Sequence, residues 1–210
     1  MNDGANSNER IGHAYDSLSY DYRSDEGDAG VHYDEWIRHL IASLVPGSRV
    51  LDLGCGCGVP VARDLAAAGH LVTGVDIIAV QIERARRLVP AATFRRGDIA
   101  ATRSPEEAFD AIVFLYAIIH LPLDQQPIVL ARLARWLRPG GTLLLTAGLD
   151  AWTGSEDSWL GTDTTMWWSH ADAATYRRWL LDAGFVIDEE GIVPEGDSGH
   201  ALFWAHRPTS

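Results

Sequence analysis

The residues whose types and spacing point most directly to chemistry are three alternating glycines after an apolar segment. Gly54, Gly56 and Gly58 directly follow residues 50–53, which have the pattern of a buried strand. Alternate glycines let the backbone turn sharply and pass close to a ligand at the carboxyl end of a strand. The run predicts a nucleotide-type crevice, with a purely structural turn as the alternative. Val59 stands where a dinucleotide fingerprint needs glycine, which disfavours a dehydrogenase.

Two acidic residues stand at the ends of the next two predicted strands. Asp76 follows residues 71–75, where a carboxylate can accept the two hydroxyls of a ribose, or cap the following helix. Asp98 follows residues 93–96, where it can accept the exocyclic amine of a base while Ile99 packs on the ring. A solvated turn explains Asp98 alone equally well. The coincidence at three successive strand ends is what favours a nucleoside site.

With these motifs, and with Phe109-Asp110 and residues 137–141, the chain resembles small bacterial class I S-adenosylmethionine-dependent methyltransferases from about residue 11 onward. The resemblance implies S-adenosyl-L-methionine as the cofactor and S-adenosyl-L-homocysteine as its product. In that family the glycine loop surrounds the methionine part, the acid matching Asp76 binds the ribose, and the acid matching Asp98 binds the adenine. The cofactor-binding residues expected here are Tyr20, Asp52, Gly54, Cys55, Gly56, Asp76, Ile77, Asp98, Ile99 and Leu115.

His120 is the candidate catalytic residue. It lies shortly after Leu115 and Tyr116, beyond the fourth predicted strand, where side chains of the family face the methyl acceptor. An imidazole with an ordinary pKa of about 6.5 can take a proton from an attacking hydroxyl. His120 can also orient an acceptor that is already anionic, or hydrogen-bond a backbone carbonyl at a helix start. The sequence leaves these roles open.

The resemblance also implies two segments that cover the acceptor. One is an N-terminal lid, with Tyr15 and Tyr20 as contacts. The other follows the fifth strand, where residues 166–170 and the next helix supply indole, imidazole and guanidinium groups suited to a small, partly anionic molecule. The predicted acceptor-binding residues are Tyr15, Tyr116, Trp167, His170 and Arg177. Simple packing of these aromatic rings is the alternative.

The elements that must position these residues alternate between strand and helix. Such alternation with apolar strands predicts an α/β fold, a Rossmann-like three-layer sandwich with a mostly parallel sheet. The resemblance implies seven strands in the order 3-2-1-4-5-7-6, with the last strand antiparallel. We expect a single domain, residues 1–210, made of N-terminal lid helices at 1–47, a cofactor-binding core at 48–150, a small cap with a helix at 151–183, and terminal strands at 184–210.

Several boundaries are also predicted. Pro139-Gly140-Gly141 should end the helix at 126–137, and Asp172 should cap the next helix. Residues 151–169 show no clean period and predict an irregular insertion. The last two strands are expected at 185–187 and 201–205.

Composition restricts the partners. The 210 residues have a net charge of −12 and contain no lysine, which excludes Schiff-base and phosphate-loop lysine chemistry. A surface with this much negative charge repels the phosphate backbone of nucleic acids, and no nucleic-acid partner is expected. Without a long apolar run or a leader, we expect a cytoplasmic protein that binds no membrane, a monomer or homodimer. Cys55 and Cys57 are expected to be reduced, and no metal site is predicted.

The predicted function is methyl transfer from S-adenosylmethionine to a small molecule, at oxygen, with His120 as base or orienting group. N-, S- and C-methyltransferases of the same fold remain alternatives because the core motifs read the cofactor and not the acceptor atom. A catalytically silent cofactor-binding module is the alternative from another class.

Overall fold

The computed structural model describes residues 33–157, 165–196 and 198–209. The helices in these ranges are α1 Tyr33–Ser43, α2 Val61–Ala67, α3 Ala79–Leu88, α4 Gln126–Trp136 and α5 Ala173–Asp182, with a 3₁₀ turn at Ile118–His120. The strands are β1 Arg49–Leu53, β2 Leu71–Asp76, β3 Thr93–Arg96, β4 Phe109–Phe114, β5 Leu137–Gly148, β6 Trp152–Glu156, β7 Met166–His170, β8 Val186–Glu195 and β9 Ser198–His206.

Seven of the described strands form one sheet in the order β3-β2-β1-β4-β5-β9-β8. Neighbours from β3 to β5 are parallel, and β9 runs antiparallel to both β5 and β8. Strands β6 and β7 pair only with each other, as a separate antiparallel hairpin. With the hairpin left out of the count, the sheet has the predicted order, and the predicted α/β class is confirmed.

Helices cover both faces of the sheet because its strands are apolar on both sides. Val50 packs in a cluster with side chains of α1, α2 and α3, whereas Leu51 packs in a second cluster with side chains of α4 and α5. The parallel strands therefore end together at one open edge, where ligands of such sheets bind. At the opposite edge, the Asp110 carboxylate accepts hydrogen bonds from the Arg49 amide and the Arg138 guanidinium, both at 2.7 Å, and joins β1, β4 and β5.

The prediction of an irregular insertion at 151–169 is wrong for the described part of that segment, because β6 and β7 form a regular hairpin. Their register runs from Trp152 opposite His170 to Glu156 opposite Met166. Cross-strand contacts between residues distant in sequence stabilise it, such as the Trp152 and Trp168 rings with centroids 5.8 Å apart. Periodicity within one segment does not reveal such contacts.

The boundaries at Pro139-Gly140-Gly141 and at the terminal strands also differ from prediction. Helix α4 ends at Trp136, before the motif, and β5 passes through it. Pairing with β4 joins Phe109 to Leu137 and then Ala111 to Thr142, so the motif lies in a register shift that tolerates a proline. Strands β8 and β9 are longer than expected because they pair with each other almost throughout. Asp172 caps α5 as predicted, accepting from the Thr175 amide at 2.8 Å.

Candidate active site

A crevice opens at the carboxyl edge of β1, β2 and β4. Its walls contain most of the residues predicted to bind the cofactor, together with Tyr116 and His120. The predicted residues that line it are Asp52, Gly54, Cys55, Gly56, Asp76, Ile77, Asp98, Ile99, Leu115, Tyr116 and His120. Further lining residues, which the sequence patterns did not indicate, are Tyr33, Val59, Val61, Ile78, Gln81, Ala117 and Leu121. The fold therefore brings residues that are far apart in sequence to one site.

The glycine loop forms the floor of the crevice, and two of its glycines are required for different reasons. Gly54 has a φ of +70°, and a Cβ added there would lie 2.3 Å from the Cβ of Ala117. It is therefore required for close packing. Gly56 has a φ of +51°, and an added Cβ would meet nothing within 4 Å. At Gly56 the left-handed backbone, and not a steric clash, favours glycine.

Asp76 connects the loop to the start of α3. Its Oδ2 accepts a hydrogen bond from the Gly56 amide and its Oδ1 one from the Ile78 amide, both at 2.9 Å. The carboxylate is almost fully buried at 7% exposure. An ionised carboxylate can accept about four hydrogen bonds, so these two contacts are compatible with ribose hydroxyls as further donors. The helix-capping and ligand-binding interpretations of Asp76 do not exclude one another.

Gln81 is the most informative residue that the sequence analysis missed. It projects from α3 into the crevice wall, is only 3% exposed, and its Oε1 has no hydrogen-bond partner among the described residues. Leaving a buried acceptor unsatisfied costs about 1–3 kcal/mol, so a ligand that supplies a donor is stabilised here. The hydroxyls and the amine of an adenosyl group are such donors. The sequence contains one indication of this role, because Gln81 is a polar residue on the helix face that Ile78, Ile82 and Ala85 make apolar.

Asp98 stabilises the turn after β3 and also lines the crevice. Its Oδ1 accepts from the Ala100 amide at 2.8 Å, and its carbonyl accepts from the Thr102 hydroxyl at 2.8 Å. These bonds fix the turn after β3 and place both Asp98 and Ile99 in the crevice wall. The acid and its apolar neighbour thus stand together, as a base-binding pair requires.

His120 lies at the end of the 3₁₀ turn after β4, in the wall of the crevice. Its Nδ1 is 3.1 Å from the carbonyl oxygen of Trp167 in β7. Because a carbonyl only accepts, Nδ1 carries the proton, and the lone pair of the neutral ring is on Nε2. Burial lowers the pKa of His120 to about 4, partly offset by this hydrogen bond. The ordinary pKa of about 6.5 expected from the sequence is therefore wrong for this buried ring.

The predicted acceptor-binding residues lie in different places. Tyr116 lines the crevice, with its ring edge-on to His200 at 5.0 Å. Trp167 offers its carbonyl to His120, and its ring packs near Ile78 and Met166. Neither Trp167, His170 nor Arg177 is among the lining residues.

His170 and Arg177 have contacts outside the crevice. His170 Nδ1 lies 2.7 Å from the Asp150 carbonyl oxygen at the base of the hairpin. Arg177 donates two hydrogen bonds to Glu190 of β8, at 2.6 and 2.8 Å. Tyr15 and Tyr20, the predicted lid contacts, lie outside the described residues. The aromatic residue nearest to them in sequence that lines the crevice is Tyr33, whose ring centroid is 5.9 Å from that of Tyr116.

The described part of the chain shows no reactive cysteine, metal site or membrane-spanning helix. Cys55 and Cys57 are free and buried, and burial raises the pKa of Cys55, which keeps it a thiol. Among the described residues, no three His, Cys, Asp or Glu side chains are grouped to hold a metal ion. None of the helices described is long and apolar enough to cross a membrane.

Comparison with known proteins relates this part of the chain to a family. The family described as a methyltransferase domain matches residues 50–141. The chain is 32% identical over 139 residues to 27-O-demethylrifamycin SV methyltransferase of Amycolatopsis mediterranei, covering 62% of this chain and 50% of that protein. It is 36% identical over 107 residues to 2-methyl-6-phytyl-1,4-hydroquinone methyltransferase of Synechocystis sp., covering 49% of this chain and 33% of that protein. The chain thus spans half or less of these relatives' length.

A solved structure extends the similarity of fold to nearly the whole chain. The 1,6-didemethyltoxoflavin-N1-methyltransferase of Burkholderia thailandensis superposes with a TM-score of 0.76 at 20% identity, covering 99% of this chain and 92% of that one. The glycine loop and strands β2, β3 and β4 lie in the part of the chain that matches the methyltransferase-domain family, and the solved structure has the same overall fold. A second structure of this fold, the magnesium protoporphyrin IX methyltransferase of Synechocystis PCC 6803, has S-adenosylmethionine bound; it superposes with a TM-score of 0.72 at 22% identity, covering 99% of this chain and 100% of that one.

Proposed function

We propose that this protein transfers the methyl group of S-adenosylmethionine to a small organic acceptor, at oxygen. The observation that carries the proposal is the crevice itself, with the glycine loop as floor, Asp76, Gln81 and Asp98 in one wall, and His120 in the other. The buried, unsatisfied Oε1 of Gln81 and the open space beside Gly56 fit a ligand with hydroxyl and amine donors. Bound there, S-adenosylmethionine supplies an electrophilic methyl group on a sulfonium sulfur.

The chain's own residues bind the cofactor and exclude water. Asp76 accepts hydrogen bonds from the ribose hydroxyls while it holds the Gly56 amide. Ile77 and Ile99 provide apolar surface for the adenine beside Asp98. The Tyr116 ring covers the acceptor side. In methyl transfer such groups act mainly by alignment, which contributes more than any single proton transfer.

His120 acts on the acceptor through Nε2. With Nδ1–H held by the Trp167 carbonyl, Nε2 can accept the proton of an acceptor hydroxyl, which makes the oxygen a better nucleophile. Its depressed pKa makes it a weak base that remains neutral at pH 7. For an acceptor that is already a carboxylate, His120 only orients the molecule. The names of the relatives include both oxygen and nitrogen acceptors, so the oxygen assignment depends on this histidine.

Calorimetric titration with S-adenosylmethionine and S-adenosylhomocysteine, followed by an assay for S-adenosylhomocysteine release, tests the proposal. The assay should include small hydroxylated aromatics, carboxylic acids and amines, because it reports transfer to any atom. We expect binding of both compounds and turnover with a hydroxyl or carboxylate compound. The Asp76→Ala variant is the control and should bind both compounds about 5- to 100-fold more weakly. A folded protein that binds neither compound would refute the proposal, and binding without turnover would favour the silent module.

A further inference from the structure

A buried amide connects four parts of the chain beside the crevice. Gln126, in the first turn of α4, is fully buried. Its Nε2 donates to the Leu121 carbonyl at 2.8 Å and to the Ser169 carbonyl at 2.6 Å, and its Oε1 accepts from the Tyr176 hydroxyl at 2.5 Å. Burial raises the pKa of Tyr176, which keeps the hydroxyl protonated as the donor. The side-chain amide thus uses both its donors and its acceptor.

Two side chains, of His120 and Gln126, hold the edge of β7 that does not pair with β6. Strand β6 pairs with one edge of β7, and carbonyls two residues apart on a strand point to the same side. The carbonyls of Trp167 and Ser169 have this spacing. They accept hydrogen bonds from His120 and Gln126 respectively. The hairpin is therefore attached to the segment after β4 by side chains, where another strand could have paired.

The other side of the hairpin rests on the opposite wall of the crevice. Met166 is fully buried against Ile78, and the rings of Trp167 and Trp168 pack around them with Ile77. Ile77 and Ile78 follow β2, whereas His120 and Leu121 follow β4. In the sheet β1 lies between β2 and β4, so the hairpin contacts the segments that follow the strands on both sides of β1.

We propose that Gln126 and Tyr176 are positioning residues that hold the β6–β7 hairpin against residues of both crevice walls, so that loss of this attachment speeds the release of S-adenosylhomocysteine. The inference rests on the proposed function, which assigns the crevice to the cofactor. One amide nitrogen of Gln126 holds both the carbonyl of Leu121, which lines the crevice, and the carbonyl of Ser169 in β7. Loss of the Tyr176 hydroxyl leaves Gln126 Oε1 buried without a donor, which weakens the attachment.

The rate at which bound S-adenosylhomocysteine dissociates tests this role. Radiolabelled S-adenosylhomocysteine on the full chain would be chased with an excess of unlabelled compound. We expect Tyr176→Phe to dissociate about 5- to 100-fold faster than the wild type, the range that corresponds to one unsatisfied buried acceptor. Gln126→Met should show a similar increase, and the double variant should not exceed the larger single effect by much, because both changes break the same network.

Leu180→Val is the matched control. Leu180 lies one turn after Tyr176 in α5, is fully buried, and takes no part in the network. It should lower thermal stability without changing the dissociation rate. Hydrogen exchange of the free protein gives a second readout, because the amides of residues 166–170 should exchange faster in Tyr176→Phe and not in Leu180→Val.

The possible outcomes separate the two proposals. If the wild type binds S-adenosylhomocysteine and Tyr176→Phe releases it at the wild-type rate, the hairpin does not limit release, and the positioning role is wrong while the proposed function stands. Unchanged exchange of residues 166–170 in both network variants would likewise overturn the attachment. If the folded wild type binds no S-adenosylhomocysteine, the proposed function fails, and the release role fails with it.

Discussion

The imidazole Nδ1 of His120 lies 3.1 Å from the carbonyl oxygen of Trp167, so the residue in the best position for acid–base chemistry is also bonded to the cap. This contact fixes the tautomer, with the proton on Nδ1 and the lone pair of the neutral ring on Nε2. The same environment lowers the pKa of His120 to about 4. The contact with Trp167 thus orients the His120 ring, and burial lowers its pKa. Each effect has a measurable consequence.

The first consequence concerns activity. With a pKa of about 4, His120 is neutral from pH 6 to 8, so kcat should not vary with pH through this group in that range. On a hydroxyl acceptor, His120→Ala should lower kcat by about 10²- to 10⁴-fold if the residue is the base. On a carboxylate acceptor, the effect should fall on KM instead.

His120→Asn is the matched variant, because its amide nitrogen can still donate to the Trp167 carbonyl while the basic nitrogen is lost. Steady-state kinetics of both variants from pH 5 to 9 would check the prediction. A wild-type kcat that rises with a midpoint between pH 6 and 7, and no longer does so in His120→Asn, would contradict the depressed pKa.

The second consequence concerns stability in acid. The unfolded chain binds a proton at His120 with a pKa of about 6.5, and the folded chain only with a pKa of about 4. Between these values the unfolded state carries more protons, so the free energy of unfolding falls as the pH falls. From pH 7 to pH 5 this loss is about 2 kcal/mol. Urea unfolding at both pH values should show it for the wild type and not for His120→Asn; equal losses would count against it.

Gln81 permits a test in which stability and binding change in opposite directions. Gln81→Met keeps the length of the side chain and removes a buried acceptor that has no partner among the described residues. We expect the ligand-free protein to gain about 1 kcal/mol of stability and the affinity for S-adenosylhomocysteine to fall about 5- to 50-fold. Urea unfolding and calorimetric titration measure the two effects. A weaker affinity together with a lower stability would indicate a packing role only.

The sequence was sufficient for the parts of the fold and site that depend on local patterns. The alternation of apolar strands and helices predicts the sheet, and the strand ends place Gly56, Asp76 and Asp98 in one crevice. Residues whose role depends on contacts across the fold were not predictable. Gln81 looks like an exception to an apolar helix face, and Gln126 looks like an ordinary polar residue at a helix start, until the structure brings β7 and Tyr176 to it.

Arg177 was predicted to bind the acceptor from its residue type alone, and this prediction is not supported by its position. A guanidinium after a Trp-rich segment is suited to an anionic acceptor, yet α5 directs it toward Glu190 of β8. The helical phase that buries Tyr176 places its neighbour Arg177 on the outer side. The lowered pKa of His120 likewise depends on its burial in the folded chain, which no spacing rule gives.

The last prediction concerns Gly54, for which two costs can be separated. Gly54→Ala would place a Cβ 2.3 Å from that of Ala117, on a backbone with a φ of +70° that a side chain rarely adopts. We expect it to lower the free energy of unfolding by about 2–4 kcal/mol and to weaken S-adenosylhomocysteine binding, because the loop must shift. Adding Ala117→Gly removes the steric clash but leaves the strained φ. The double variant should therefore recover part of the stability, to within about 1–2 kcal/mol of Ala117→Gly alone, and urea unfolding of all four proteins measures this coupling. Additive losses in the double variant would show that the contact between Gly54 and Ala117 does not determine the need for glycine.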